Sequence, residues 1–406
     1  MVKAELLAPA GDFECLKSAV RFGADAVYIG GPFMQLRAAA SAFSEENIKA
    51  AADFCHRNGR KLYVTVNSFA KNSEIPLLRD YARRLNALGA DAAIVSDIGA
   101  VSAMKEACPE LPIHISTQAN CMNYAAAMVY YNMGASRIVL AREMKLEDIA
   151  LLRENTPKEL ELEAFVHGAM CMSYSGRCLL SAYLTNRSGN RGDCDQSCRW
   201  MYHLCEEKRP GEFFPIEEDE HGTAILSSQD LNCMRFVEDL QKAGISSLKI
   251  EGRMKSPYYV ATVVNAYRKR LDGGAPTEVL ERELHSISHR PYSSGFYFGN
   301  MSEFRPDNGV YIRDCTFVAA VLADESGGRV KIEQRNLFKE GDTLEVLRPE
   351  AVGESFTASG ITTEAGESTD RANRAKDIYV IDCPIHLHAG DMLRTRSREY
   401  ETRKNG

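Results

Sequence analysis

The sequence predicts an α/β protein, a TIM-like (β/α) barrel followed by a small C-terminal antiparallel β-barrel. Three observations support this fold class. The 406 residues exceed what one ordinary core accommodates. A unit of amphipathic helix, glycine and β-rich run recurs through the first two-thirds of the chain. From about residue 310 the hydrophobic period changes to two.

The recurring unit supplies most of the strands of the predicted barrel. Its glycines fit the position just after a helix, where a left-handed residue ends the helix. They are Gly23, Gly59, Gly89, Gly134 and Gly244. The runs that follow them lie in FGADAVYIGG, NGRKLYVTVN, LGADAAIVSD, MGASRIVLAR and AGISSLKIEGR, and further strand candidates are ELLAPA, PIHISTQAN, LELEAFVHG and AILSSQDL. Eight or nine strands alternating with helices favour a closed parallel barrel, and no Gly-x-Gly-x-x-Gly follows the first strand.

The C-terminal part has a different organisation. A helix over 256–274 ends the barrel pattern, and an irregular stretch follows it. The alternating runs after residue 310 predict a small antiparallel barrel or sandwich of roughly six strands. These runs are FVAAVL, RVKIEQRN, DTLEVLRP, SFTASGIT, DIYVIDC and DMLRTR. We therefore assign 1–275 to the barrel with a cysteine-cluster insertion, 276–309 to a connecting segment and 310–406 to the small β-barrel.

A barrel of this type places its site at the carboxyl ends of the strands. Polar residues that follow or end the predicted strands are therefore site candidates. They are Asn67, Asp97, Gln118, Asn120, Arg142, Glu143, Glu163, His167, Glu251 and Arg253.

The charge and hydropathy of the chain exclude some functions. A net charge of −7 argues against a bulk electrostatic nucleic-acid binder. A local basic face remains open, because the stretch 249–270 holds six Lys or Arg residues against one acid. The N-terminus lacks a signal-peptide pattern, and no apolar run approaches the roughly 20 residues that cross a bilayer. We expect a cytoplasmic protein that does not enter a membrane.

Four of the twelve cysteines lie within 28 residues and predict a metal site. They are Cys171, Cys178, Cys194 and Cys198. Their spacing lacks C-x2-C knuckles, which favours an iron–sulfur cluster over structural zinc, with four unliganded thiols as the third alternative. Cys205 and Cys233 are substitute ligands of lower rank. The cysteines elsewhere are scattered singly, as small buried hydrophobic residues are.

The run EAFVHGAMCMSYSGRCLLS resembles the signature of the peptidase U32 family. The likeness continues through GDCDQSCRW, EDEHGTAILSSQDL and SLKIEGRMKSPYYVATVVNAYRKRLD, and the opening ELLAPAGDFECLKSAVRFGADAVYIGG is also similar. The resemblance implies a TIM-like barrel and a [4Fe–4S] cluster. Cys171, Cys178 and Cys194 carry over as ligands by the motif match, and Cys198 is the natural fourth.

The resemblance is strongest to members that act as prephenate-dependent tRNA uridine hydroxylases. Those members make 5-hydroxyuridine at the anticodon wobble position, and related ones hydroxylate a ribosomal RNA cytidine or act in ubiquinone hydroxylation. It implies an enzyme with tRNA and a small dicarboxylate, prephenate or a derivative, as partners. A protein partner or a homo-oligomer stays open. The stretch 249–270 and the C-terminal module are the candidates for holding tRNA phosphates.

Roles for individual residues follow from this hypothesis. Because prephenate is a dicarboxylate, we expect cationic side chains to bind it. The substrate-binding candidates are Arg142, Lys249 and Arg253. The candidates for moving protons are Glu163, His167 and Glu251.

Two other functions remain as alternatives. The family name implies a peptidase or collagenase-like protease, but the sequence has no His-Glu-x-x-His and no Gly-x-Ser-x-Gly. Cysteines bound to a metal are not free nucleophiles. A non-catalytic RNA-binding protein with structural zinc is the other alternative.

Overall fold

The computed structural model describes residues 3–36, 43–171, 173–185, 187–199, 218–219, 222–223, 229–299 and 311–396. The chain divides into two compact units, Met1–Val20 with Ala24–Lys255 and Arg290–Tyr311, and Arg21–Gly23 with Ser256–His289 and Ile312–Gly406. None of the described helices is both long and apolar enough to span a membrane.

The first unit holds the parallel strands and most of the helices. Its strands are β1 (Glu5–Pro9), β2 (Ala26–Gly30), β3 (Lys61–Val66), β4 (Ala92–Val95), β5 (Ile113–Ile115), β6 (Ala135–Val139), β7 (Glu161–Ala169), β8 (Glu218–Asp219), β9 (Gly222–Thr223), β10 (Asp230–Asn232), β11 (Ser247–Ile250) and β12 (Tyr292–Ser293). The helices up to residue 242 are α1 (Phe13–Arg21), α2 (Glu45–Arg57), α3 (Ile75–Ala87), α4 (Ile98–Ala107), α5 (Tyr124–Asn132), α6 (Leu146–Glu154), α7 (Leu180–Thr185) and α8 (Val237–Lys242).

Eight parallel strands close into a barrel, which confirms the predicted fold class. Strands β1 to β7 lie side by side in chain order, and β11 pairs with both β1 and β7. Ser247 is opposite Glu5 on one side and Glu163 on the other. The ninth candidate, AILSSQDL, is not a barrel strand. Its end forms β10, which runs antiparallel to β7 outside the ring, and residues 224–228 lie outside the described residues.

The glycines of the repeat end helices as predicted. All five have a positive φ, from +66° at Gly59 to +102° at Gly23. An L-residue with a side chain avoids this backbone region, so glycine ends these helices at the smallest cost. The next buried strand begins within three residues of each of these glycines.

The barrel interior contains a buried network of charges. Arg137 on β6 is 2% exposed and donates to Glu5 at 2.6 Å and to Glu163 at 2.9 Å. Lys249 on β11 donates to the other oxygen of Glu163 at 2.8 Å, and Glu163 is fully buried. Buried charges persist only when they are paired, so these contacts fix which side chains face inward at this level.

The second unit contains an antiparallel sheet and two helices, α9 (Pro257–Asp272) and α10 (Thr277–His285). Its strands are β13 (Cys315–Val321), β14 (Arg329–Gln334), β15 (Phe338–Lys339), β16 (Thr343–Leu347), β17 (Ser355–Thr357), β18 (Thr362–Thr363), β19 (Arg371–Ala372), β20 (Ile378–Asp382) and β21 (Met392–Arg396). The seven-stranded sheet has the order β17-β16-β21-β13-β14-β20-β18, and β15 pairs with β19. All six predicted alternating runs form strands.

The two helices pack within this second unit. The Nη2 atom of Arg394 on β21 donates to both carboxylate oxygens of Glu283 on α10, at 2.8 and 2.9 Å. Helix α9 begins after the capping residue Ser256 and ends at Gly273, which has a φ of +69°. The sequence analysis placed α9 with the barrel, whereas the division into compact units groups it with the C-terminal sheet.

We expect Arg137→Met to destabilise the barrel. The substitution leaves Glu5 and Glu163 without their shared cation, and breaking a buried pair in this way costs about 3–5 kcal/mol. Denaturant unfolding followed by circular dichroism measures the shift in the transition. The control is Arg79→Ala, which breaks an exposed pair with Glu106 and should cost about 1 kcal/mol or less. Equal shifts for the two variants would contradict this assignment.

Candidate active site

A cavity lies at the carboxyl ends of the barrel strands, where the fold class predicts the site. Seven predicted residues line it. They are Asn67, Gln118, Arg142, Glu143, Lys249, Glu251 and Arg253. All four clustered cysteines, Cys171, Cys178, Cys194 and Cys198, line the same cavity. The closed barrel therefore brings the cysteine segment and the strand ends to one place.

Other predicted residues have different positions. Glu163 and His167 are outside the set of described residues that line the cavity. Glu163 is bonded to Lys249 and Arg137, and the buried His167 ring lies 5.3 Å from the ring of Tyr292. Neither has the direct access to a substrate in this cavity that the sequence analysis expected.

Two further strand-end candidates have roles in the backbone. Asp97 accepts the amide hydrogen of Ala100 as the N-cap of α4. Asn120 has a φ of +54° and ends a short 3-10 turn after β5. A capping carboxylate and a left-handed residue explain both positions by local structure.

Three cations lie in the cavity wall. The Arg142 guanidinium stacks 3.9 Å above the Phe165 ring and donates to the carbonyl of Ala169 at 2.7 Å. Arg253 is buried and donates to Gln35 at 3.0 Å and to Thr65 at 3.2 Å. Both have neutral acceptors at these contacts, which keeps the wall attractive to an anion.

Lys249 is the most deeply placed of the three cations. Its ammonium group is 4.6 Å from the Tyr28 ring and 5.5 Å from the Phe165 ring. Burial lowers the pKa of Lys249, the nearby Arg137 and Arg142 lower it further, and Glu163 opposes the shift.

The first half of the cysteine segment is fixed to the strand ends. The Glu143 carboxylate accepts the backbone amide of Ser175 at 2.8 Å and also its hydroxyl. Gly176 has a φ of +73°, and a Cβ built there would stand 2.1 Å from the carbonyl oxygen of Gln118. The loop between Cys171 and Cys178 therefore requires glycine at this point of contact.

The second half of the segment has its own set of contacts. Asn190 donates to the backbone carbonyl of Cys178 at 2.9 Å, which joins the two cysteine pairs. Arg191 pairs with Glu74 at 2.7 Å and holds the segment against the residues after β3. These contacts keep Cys194 next to the strand ends.

Asp195 organises the turn around Cys194. Its carboxylate accepts from the hydroxyls of Ser181 and Thr185 and from the amide of Ser197. Burial opposes its ionisation, but these hydrogen bonds prevail and hold the pKa of Asp195 well below its ordinary value. The Ser181 hydroxyl also lies 3.7 Å from the Cys194 sulfur.

The clustered cysteines differ in exposure from the other described cysteines. Cys171 is exposed and its three cluster partners are half-buried, whereas the other seven are buried. Burial raises the pKa of the Cys15, Cys55 and Cys315 thiols to about 12, so these stay protonated. Only the clustered four combine solvent access with a shared cavity, which suits thiolate ligands.

Among the residues that the structure describes, no three His, Cys, Asp or Glu side chains are grouped closely enough to hold one metal ion. Tetrahedral zinc needs four sulfurs at about 2.3 Å from one centre. A cluster of several irons spaces its thiolates more widely. Within the described residues, the cavity that the four thiols share is therefore what links them to one site, and not a ligand set around a single ion.

Cys198 and the two lower-ranked ligand candidates differ in their positions. Cys198 lines the cavity, whereas Cys233 is fully buried outside the cavity lining, with its sulfur 3.9 Å from the carbonyl oxygen of Phe165. Burial raises the pKa of Cys233 well above its ordinary value. Cys205 lies outside the described residues. Of the two described cysteines, Cys198 alone lines the cavity with the other three clustered cysteines.

The sequence analysis missed part of the cavity lining. Tyr28, Thr65 and Phe165 face the cavity from within strands, and Ser175 and Ser181 from the cysteine segment. The three strand residues lie on β2, β3 and β7, and the register of each strand sets which of its side chains face the cavity. The two serines lie between clustered cysteines in the sequence, and this position is the feature by which they could have been predicted.

Four of the six cations in the predicted basic stretch 249–270 are buried or hydrogen-bonded. Lys249 and Arg253 are buried in the cavity wall. On α9, Arg268 pairs with Asp272 at 3.1 Å, and Lys269 donates to the carbonyl of Pro349 at 2.6 Å. These four cations are therefore already engaged, and the chain after residue 396 lies outside the described residues.

The sequence pattern of Peptidase family U32 matches residues 11–305, and that of the Peptidase family U32 C-terminal domain matches residues 313–394. The chain belongs to peptidase family U32. Its U32 relatives include tRNA hydroxylation protein P of Escherichia coli K12, which is 35% identical over 100% of this chain and 99% of that protein. tRNA hydroxylation protein P1 of Bacillus subtilis is 37% identical over 97% of this chain and 94% of that protein.

A further U32 relative has a different named substrate. The 23S rRNA 5-hydroxycytidine C2501 synthase of Escherichia coli K12 is 37% identical over 66% of this chain and 39% of that protein. The similarity to the two tRNA hydroxylation proteins thus covers almost the whole of each chain. The similarity to the synthase covers only part of each chain.

We expect Gly176→Ala to displace the cysteine loop from the strand ends. The added methyl group would collide with the Gln118 carbonyl, and overpacking of this kind costs about 1–3 kcal/mol. The rates at which Cys171 and Cys178 react with a thiol reagent should rise. Gly59→Ala is the matched control, because Gly59 also has a positive φ but has no atom within 4 Å of an added Cβ. Unchanged thiol reactivity in Gly176→Ala would show that this contact does not hold the loop.

Proposed function

We propose that this protein is an RNA-modifying hydroxylase that converts the wobble uridine of tRNA to 5-hydroxyuridine. The proposal includes a [4Fe–4S] cluster on the four clustered cysteines and prephenate, or a derivative, as co-substrate. It is supported by the identity to two tRNA hydroxylation proteins over nearly full length. The ribosomal RNA synthase is also named for RNA hydroxylation, so this chemistry is common to the three relatives. Because the match to the synthase is shorter, tRNA is favoured over ribosomal RNA as the substrate.

The geometric observation that carries the proposal is the shared cavity. Four thiols and three cations line one space, although Arg142 is more than 100 residues from Lys249 and Arg253 in the chain. A structural zinc site in a binding protein does not require a cationic cavity beside it. An enzyme that holds an anionic co-substrate next to a redox centre requires both.

Arg142 and Arg253 would bind the carboxylates of the co-substrate. A guanidinium group binds a carboxylate through two parallel hydrogen bonds. Within the described residues Arg142 has no carboxylate partner, and its side chain lines the cavity. Arg253 is held by Gln35 and Thr65 in a fixed orientation.

The cluster, when bound to Cys171, Cys178, Cys194 and Cys198, supplies electron transfer or polarises an oxygen-bearing ligand. The residues around it have simpler tasks. Glu251 lines the cavity and is placed to exchange a proton with the bound acid. The side chains of Phe165 and Met170 line the same wall and exclude water from the inner part.

The rim of the cavity offers a place for an unstacked base. Tyr174 lines the cavity and is 60% exposed, and Leu179 in the same segment is 72% exposed. Enzymes that modify a base take it out of its stack, and single-stranded RNA stacks its bases on aromatic side chains. An anticodon loop presents such bases.

The peptidase alternative has less support. Within the described residues no histidine lines the cavity, and His167 lies against Tyr292 instead. A cysteine nucleophile needs an adjacent base. The described lining of the cavity provides thiols without a histidine beside them.

The proposal is tested by deleting the gene and measuring 5-hydroxyuridine-derived nucleosides in tRNA by mass spectrometry. We expect their loss, restoration by the wild-type gene, and no restoration by Cys178→Ser. Anaerobically purified Cys178→Ser should also contain less iron and sulfide than wild type. Cys55→Ser is the control, because Cys55 is buried on α2 and should leave both readouts unchanged. Unchanged nucleosides in a deletion strain without a second copy of the gene would overturn the function, and stoichiometric zinc would favour the structural alternative.

We expect Tyr174→Ala to weaken binding of a tRNA anticodon stem-loop. Loss of stacking on one aromatic side chain costs about 1–3 kcal/mol, which raises Kd by about 5-fold to 150-fold. Fluorescence anisotropy at a fixed salt concentration measures the change. Tyr124→Ala removes an exposed tyrosine from α5, outside the cavity lining, and should bind as wild type does. Equal affinities for the two variants would exclude Tyr174 as the stacking residue.

A further inference from the structure

Lys249 is a buried amine that the proposed function has used only as a cation. Its side chain is 4% exposed and lines the cavity from strand β11. Aromatic rings of Tyr28 and Phe165 lie 4.6 and 5.5 Å from its nitrogen. Within the described part of the chain, its hydrogen-bond acceptor is Glu163, at 2.8 Å. An amine in such surroundings is the type of group that reacts as a nucleophile in enzymes.

The surroundings of Lys249 favour the reactive, neutral form of the amine. Burial lowers its pKa, and the positive charges of Arg137 and Arg142 act in the same direction. Glu163 is the counterion, and its carboxylate oxygen is within hydrogen-bond distance of the nitrogen. The pair therefore provides a nucleophile and a group that can receive and return its proton.

Arg142 completes the set of groups that a 2-oxo acid requires. Its guanidinium group stacks 3.9 Å from the centre of the Phe165 ring, the same ring that Lys249 approaches. A 2-oxo acid has a carbonyl carbon directly bonded to a carboxylate. Arg142 can hold the carboxylate while Lys249 faces the carbonyl carbon.

We propose that Lys249 forms a Schiff base with the carbonyl group of a 2-oxo acid bound in this cavity. The amine nitrogen attacks the carbonyl carbon, and a carbon–nitrogen double bond replaces the carbon–oxygen double bond. The nitrogen gives up two protons, and the former carbonyl oxygen leaves with both as water. Glu163 receives a proton from the amine nitrogen to which it is hydrogen-bonded, and Glu251, which lines the cavity, relays protons to the departing oxygen. No oxidant or reductant takes part, because the carbon keeps its oxidation level.

This inference deepens the proposed function and rests on it for the use of the cavity as the co-substrate site. Prephenate carries a 2-oxo acid arm, so the proposed co-substrate belongs to the class that Lys249 would bind. A covalent link would hold the acid beside the cysteine cluster. An imine also withdraws electrons from the neighbouring carbon and makes that carbon more acidic.

The test is reductive trapping on the purified full-length protein without RNA. The protein is incubated with pyruvate, phenylpyruvate or prephenate in the presence of sodium cyanoborohydride. Intact-mass analysis and peptide mapping then locate any adduct. We expect one adduct per chain, on Lys249. Lys249→Arg keeps a cation beside Glu163 but cannot form the imine, and its adduct should fall to background. Circular dichroism checks that this variant is folded.

Two further variants sharpen the result. Arg142→Gln removes the carboxylate partner and should lower the adduct yield by about tenfold when the acid is below saturation. Lys242→Met removes an exposed lysine of α8 and should leave the yield at the wild-type level. The inference is overturned if wild-type protein forms no adduct, or if the adducts are spread over surface lysines and persist in Lys249→Arg. Because trapping needs neither RNA nor the cluster, it can succeed or fail independently of the hydroxylation measured in cells.

Discussion

The pairing of β11 with both β1 and β7 is the constraint on which the site depends. These pairings close eight strands into a ring, and all carboxyl ends then meet at one opening. Closure brings Lys249 and Arg253 next to Arg142, more than 100 residues earlier in the chain. The cysteine segment follows β7 directly, so the same closure places its thiols at that opening. In an open sheet of the same strand order, β11 and β7 would lie at opposite ends, and these groups would be far apart.

The charges inside the barrel connect stability with chemistry. Arg137 and Lys249 share Glu163, and Arg137 also binds Glu5. In most barrels of this type branched apolar side chains dominate the interior, so a charged level is expensive to maintain. The charges of this network shift the pKa of Lys249. The hydrogen bond to Glu163 orients the Lys249 side chain in the cavity wall. Glu163, which pairs with Arg137 inside the barrel, thereby also holds Lys249 in the cavity wall.

Sequence patterns predicted the barrel because local signals and fold agree at each repeat. Gly59 and its counterparts end helices, and apolar runs form the strands that follow. The positions of the cysteines in one cavity were also predictable, since all four lie in one segment after one strand. The direction of His167 was not. A register shift in β7 pairs Lys249 with Phe165 but Ile250 with His167, so the alternation of inward and outward residues breaks there. A bulge of this kind leaves no mark in the sequence.

The central claim is that an iron–sulfur centre and the cationic strand ends occupy the same cavity. Anomalous X-ray diffraction at the iron absorption edge, on crystals grown without oxygen, tests this claim most directly. The account predicts iron peaks inside the cavity, within bonding distance of Cys171, Cys178, Cys194 and Cys198 and facing Arg142. Absence of iron from intact protein, or iron bound away from these four sulfurs, would contradict it.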